Sequence, residues 1–125
     1  MDKPHKKLDV WKASMEAAQV VYELTKPFPN EEKFGLVAQM RRAVVSIASN
    51  IAEGAARQGK GEFRNFLSMA QGSLSELDTQ LEIAVRLGYL EAESMEELSV
   101  LLVRTDKMLT ALIRSLSKEK RNGKE

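Results

Sequence analysis

Three groups of side chains in this sequence have the types and spacing to do chemistry. Gln39, Arg42, Ser46, Asn50 and Glu53 recur every three or four positions, so a helix sets them on one line. Such a line is either a solvated face or a hydrogen-bonded network against a neighbouring helix. Arg41 stands off that line among apolar residues. A buried guanidinium needs a partner, and Glu76 is the carboxylate expected to supply it, unless Arg41 reaches out to a subunit boundary. The second group is basic. Arg57, Lys60 and Arg64 surround the glycines Gly54, Gly59 and Gly61, and Arg104, Lys107, Arg114, Lys118, Lys120, Arg121 and Lys124 make a basic carboxyl end. Phosphate contacts need only lysine or arginine in register, so Arg57, Lys60, Arg64, Lys118, Lys120 and Arg121 are the candidate nucleic-acid contacts. The third group is the carboxylates, Glu53 and Glu76 as a candidate pair and an acidic block at Glu76, Asp78, Glu82, Glu91, Glu93, Glu96 and Glu97.

Most site chemistries fail on residue type. A di-iron bundle needs Glu-x-x-His pairs, and the chain has a single histidine, His5, in a polar leader. Zinc sites lack ligands for the same reason, and the absence of cysteine removes disulfides and thiolate nucleophiles. A serine nucleophile has no positioned base. The run GAARQGKGEF lacks the Gly-Lys-Ser/Thr ending of a phosphate loop and any strand before it. Glu53 and Glu76 come with no sign of a sugar cleft. The sequence therefore points away from an enzyme, and assigns no catalytic, metal or cofactor-binding residue.

The elements that must position these groups are long helices. Leu8, Trp11, Met15, Ala18, Tyr22 and Thr25 predict a buried stripe on a first helix over 9–25, stopped by Pro27 and Pro29. Asn30 fits as an N-cap for a second helix over 31–56. There Leu36, Met40, Ala43, Val44, Ile47 and Ile51 form one face, and Val37, Val45, Ala48 and Ala52 widen it to about 200°. So broad an arc needs cover on two sides: either the helix lies deep inside the bundle or it also meets another subunit, and a second copy of the chain is the expected outer cover. A third helix over 62–87 carries Phe63, Phe66, Leu67, Ala70, Leu74, Leu77, Leu81 and Ala84, with Gly72 and Ser73 as an expected close-contact point. Met69, Ile83 and Leu87 lie beside that stripe as apolar surplus, a second argument for self-association. Gly88 ends the helix. A capping box at Ser94-Met95-Glu96-Glu97 predicts a fourth helix over 95–117, followed by a charged tail, 118–125.

Four helices of similar length with short connections predict an all-α, antiparallel up-down-up-down four-helix bundle. The 125 residues are enough for one domain with its own core, 43% hydrophobic and 30% charged. No run approaches the ~20 apolar residues of a membrane helix and no signal peptide is visible, which predicts a cytoplasmic protein with no membrane partner. The net charge of +1 names no partner by sign.

Several segments carry a resemblance. They are Leu8-Asp9-Val10-Trp11, Phe28-Pro29, Glu32-Lys33-Phe34-Gly35-Leu36, Gln39-Met40-Arg41-Arg42-Ala43, Ser46-Ile47, Asn50-Ile51-Ala52-Glu53-Gly54, Phe66-Leu67, Gly72-Ser73-Leu74 with Glu76-Leu77, and Leu87-Gly88-Tyr89-Leu90. Through them the chain resembles the bacterial four-helix-bundle family named for proteins encoded in intervening sequences of 23S ribosomal RNA genes. The resemblance spans nearly the whole chain. It implies a left-handed antiparallel bundle assembled as a homopentameric ring, with no settled activity. The family is similar in fold to the accessory protein of diversity-generating retroelements, a pentamer that binds nucleic acid and a reverse transcriptase. The resulting expectation is a non-enzymatic homo-oligomer that binds RNA or a nucleoprotein. The alternative is a protein-interaction scaffold with no nucleic-acid role. No small-molecule substrate is evident.

Overall fold

The computed structural model describes the backbone of residues 1–122 and the side chains of residues 1–118. Four long helices account for most of it: α1 Asp9–Thr25, α2 Leu36–Ala55, α3 Lys60–Arg86 and α4 Ala92–Asn122. Short 3-10 turns at Pro4–Lys7 and Asn30–Glu32 precede α1 and α2, and there is no strand among the described residues. α1 packs on α2, α2 on α3, α3 on α4, and α4 back on α1, a closed four-helix arrangement around one apolar core.

The helices begin and end for identifiable reasons. Pro27 and Pro29 close α1, but α2 does not start at Glu31 as the sequence suggests. Pro29 seeds a 3-10 turn, with Glu32 N–H donating to Pro29 O at 2.9 Å, and Gly35 then takes a non-helical φ/ψ of −104/−111. The cap comes from Glu32, whose Oε1 accepts the Leu36 N–H at 3.2 Å; Asn30 makes no side-chain hydrogen bond there. At the end of α3, Gly88 adopts φ +77, Tyr89 N–H donates to Ala84 O and Gly88 N–H to Val85 O. This paired closure is a Schellman motif, and it needs a residue tolerant of the left-handed region. It turns the chain fast enough for α4 to start at Ala92, so Met95 N–H already donates to Glu91 O. Ser94 therefore lies inside the first turn, and the expected capping box does not form. α4 also runs past Ser117 to Asn122, so the first residues of the expected tail, 118–122, are helical. Residues 123–125 lie outside the described residues.

Two core assignments shift. The buried face of α1 is Val10, Ala13, Ser14, Ala17, Val21 and Thr25, one position round from the predicted stripe. Small residues at 13, 14 and 17 let the neighbouring helices approach closely, whereas Trp11 and Ala18 become flanks and Met15 and Tyr22 are exposed. The broad apolar arc of α2 is covered by α1 on one side and α3 on the other. Nine of its residues, Leu36, Val37, Met40, Ala43, Val44, Ile47, Ala48, Ile51 and Gly54, are buried, and Val45 is left exposed. The second copy expected over this helix is thus not required by it. The exposed surplus of α3 is Met69, Ile83 and Leu87.

Candidate functional site

The α2–α3 reversal places the basic turn. Gly54 is buried where α2 meets α3: a Cβ there would lie 2.8 Å from Phe66 Cβ and 2.9 Å from Phe63 Cδ1. That approach fixes Phe66 under the turn, and the Arg57 guanidinium lies over its ring, 5.0 Å from the centroid. Arg57 Nη2 donates to Glu53 Oε1 at 2.8 Å, and its Nη1 stands 3.8 Å from Glu62 Oε2. Lys60 is exposed as the first residue of α3. Arg64 reaches across to α4, where Nη1 donates to Ser117 Oγ at 3.0 Å and Nε is buried without an acceptor. Ser117 in turn donates to Ile113 O, so the hydroxyl is held by its own helix while it accepts from α3.

The Arg64–Ser117 bond brings two sequence-distant groups to one end of the molecule. Arg57, Lys60 and Arg64 come from the turn, and exposed Lys118 follows Ser117 on α4. The side chains of Lys120 and Arg121 lie outside the described residues.

The polar line on α2 divides into parts. Ser46, Asn50 and Ser73 form a network between α2 and α3: Ser73 Oγ donates to Ser46 Oγ at 2.9 Å, and Asn50 Nδ2 reaches Ser46 O and Oγ at 2.9 and 3.0 Å. Ser73 thus marks a helix contact. Gly72 beside it does not, since a Cβ there would meet nothing within 4 Å. Gln39 and Arg42 are exposed and make no side-chain hydrogen bond among the described residues, and Glu53 turns to Arg57.

Arg41 does not meet Glu76. Its Nε donates to Thr25 Oγ1 at 3.0 Å and its Nη2 to Tyr22 O at 3.4 Å, with the guanidinium 4.5 Å from the Tyr22 ring centroid. The last carbonyls of a helix are unpaired and carry partial negative charge. A cation there needs no carboxylate, which is why the expected ion pair is absent. Glu76 is exposed and accepts instead from Gln80 Nε2 at 3.3 Å.

Sequence reasoning missed two polar clasps. Tyr89 OH donates to Glu32 Oε2 at 3.0 Å while the other oxygen of that carboxylate caps α2, and the Tyr89 ring packs 5.6 Å from Phe28. The hydrogen bond to Glu32, with its charge and partial desolvation, raises the Tyr89 phenol above its ordinary 10.0. The second clasp joins α3 to α4 through Gln71 Nε2, which donates to Asp106 Oδ1 at 3.2 Å and Thr110 Oγ1 at 2.9 Å. Neither has a local signature, because each partner is a common residue far off in sequence. Among the described residues there is no group of three or more His, Cys, Asp or Glu able to hold a metal ion, and no helix long and apolar enough to cross a membrane.

A family model described as 23S rRNA-intervening sequence protein matches residues 6–111. Among solved structures, the chain is similar to a protein with unknown function from the S23 ribosomal protein family of Bacteroides thetaiotaomicron VPI-5482. The two are 27% identical with a TM-score of 0.75, covering 83% of this chain and 97% of that one. No curated protein matches the chain.

Proposed function

The chain belongs to the 23S rRNA-intervening sequence protein family, a family of unknown function, and from that premise we propose that it is a non-enzymatic, self-associating bundle that binds RNA or a nucleoprotein through its basic end. The observation that supports this reading is the Arg64–Ser117 bond, which ties the α2–α3 turn bearing Arg57 and Lys60 to the part of α4 that carries Lys118. Phosphate competes well for such cations, because the exposed pairs of Arg57 with Glu53 and Glu62 are worth only about 0–1 kcal/mol each. A single patch of this size binds weakly. Repetition around a homopentameric ring multiplies it without new contacts. The exposed α3 residues Met69, Ile83 and Leu87 support ring contacts. Antiparallel topology is supported by the short connectors and by the Tyr89–Glu32 bond between two of them.

Gel shifts with structured RNA at graded salt test the binding. Arg57→Ala and Lys60→Ala weaken it across sequences, and removing one cation from a phosphate lowers the salt slope by about 0.7–0.9. No binding at low salt, or binding indifferent to salt, rejects the reading. Light scattering tests the ring: Ile83→Glu gives protomers, and a wild-type protein that is already a protomer removes the avidity. A second reading, a protein-interaction scaffold, is favoured by the commitment of Arg57 and Arg64 to partners within the chain. It predicts a protein partner in pull-downs and no co-purifying nucleic acid.

A further inference from the structure

The outward face of α4 is sorted by charge. At 100° per residue, Glu93, Glu96, Glu97, Val100, Val103, Arg104, Lys107, Arg114 and Lys118 fall within about 120° of its circumference. All nine are exposed, Val100 and Val103 by 71% and 54%. Read along the axis, the face is acidic, then apolar, then basic, over about 38 Å. None of its charged residues makes an ion pair among the described residues.

The usual reasons for helix charges do not produce this order. Stabilising pairs on one helix place acid and base three or four residues apart. Between Glu93 and Lys118 no acid stands at that distance from a base. The helix dipole favours acids in the first turn and bases in the last. Glu93 fits, but Glu96 and Glu97 lie beyond the first turn, and Arg104 and Lys107 lie four to five turns before Asn122.

We propose that this face is an interface on which α4 of a second copy lies antiparallel, with the two-fold axis passing between Val100 and Val103. Pairing about that axis sets Val100 against Val103 of the other copy and Glu96 against its Lys107. Glu97 then comes within reach of Arg104, and Glu93 within reach of Arg114. Each pair occurs twice by symmetry, as an isologous contact requires. Parallel pairing would set acid on acid and base on base, so the charge order selects both the occupant and its direction. The valine ridge stands between two grooves, one against α1 with Glu16 and Val20 on its lining, the other against α3 with Leu74 and Asp78. A facing ridge can seat in either. Glu16 lies on the groove that Arg104 also lines, so it adds an acid on the side where Arg104 of the second copy falls.

The pairs of this interface use neither the α3 surplus nor Arg57, Lys60, Arg64 and Lys118, so it stands or falls apart from the proposed function. Sedimentation equilibrium with charge-swapped chains tests it. R104E/K107E leaves acid facing acid, and E96K/E97K leaves base facing base. Each lowers the assembly mass by a factor of two or more, whatever the number of protomers elsewhere in the assembly. Mixing the two variants restores the mass, because both halves of the mixed interface are complementary again. The chain carrying all four swaps restores it alone. Wild-type mass unchanged by either variant overturns the proposal. So does a fall in mass that the mixture does not reverse. A third contrary outcome is weaker RNA binding by R104E/K107E at unchanged mass, which would give the basic half to nucleic acid. The substituted residues are exposed, and helicity by circular dichroism confirms that each variant is folded.

Discussion

The same substitution at two glycines of this molecule should act with opposite sign. Gly54 lies where α2 meets α3, and a Cβ there would stand 2.8 Å from Phe66 Cβ, 2.9 Å from Phe63 Cδ1 and 3.3 Å from Phe63 O. Phe66 Cβ and Phe63 O belong to or adjoin the backbone of α3, so the clash is relieved only by moving the helices apart. Overpacking of this kind costs about 1–3 kcal/mol. Gly→Ala returns about 1 kcal/mol through helix propensity. Taking the upper cost, because two separate side chains are struck, Gly54→Ala destabilises by about 2 kcal/mol. Gly72, in the middle of α3, has nothing within 4 Å of a built Cβ. There the propensity gain stands alone, and Gly72→Ala stabilises by about 0.5–1 kcal/mol. Urea unfolding by circular dichroism, read as the shift in midpoint at constant slope, measures both. A stabilised Gly54→Ala refutes the close approach. A destabilised Gly72→Ala at micromolar concentration refutes the open surroundings of Gly72 and puts another chain against the middle of α3.

Two further outcomes follow from the polar contacts. Arg41→Ala removes the donor at the end of α1 and lowers stability by about 1 kcal/mol, the cost of charged hydrogen bonds discounted for partial exposure; Arg41→Lys recovers little, since an ammonium cannot span Thr25 Oγ1 and Tyr22 O as the planar fork does. Glu76→Ala stays within about 0.5 kcal/mol in the same unfolding assay, as a surface change does. The raised Tyr89 phenol makes stability sensitive to alkali. Its contribution is complete below the unfolded value of 10.0 and is lost as pH rises through the higher folded value. Tyr89→Phe is less stable at neutral pH and loses that alkaline dependence, measured by thermal melting across the pH range.

How far each feature is legible in the sequence follows from the range of the interactions behind it. Periodicity and proline placement are local, and they are enough to mark four helical stretches. The rotation of α1 is not legible, because its two apolar stripes differ by one residue. The choice between them is made by the small residues Ala13, Ser14 and Ala17, which decide how closely other helices come. The start of α4 is hidden for a related reason. Ser94 with Glu97 has the local form of a cap, but the Gly88 closure upstream has already turned the chain. At the basic end, the turn cations are legible by type, whereas the Arg64–Ser117 bond that joins them to α4 spans 53 positions and leaves no pattern. Arg41 needs a partner on sequence grounds. That the partner is helix-end oxygen, not carboxylate, depends on α1 ending beside it.

The Glu32 carboxylate ties the two inter-helix loops on either side of it together. One oxygen holds the first amide of α2 and the other holds Tyr89 just after α3. The loop between α1 and α2 and the loop between α3 and α4 therefore share one fastener, and fraying in either removes a support of the other. Thermal opening of the two loops is therefore expected to be coupled, with the Leu36 and Tyr89 amides losing exchange protection together.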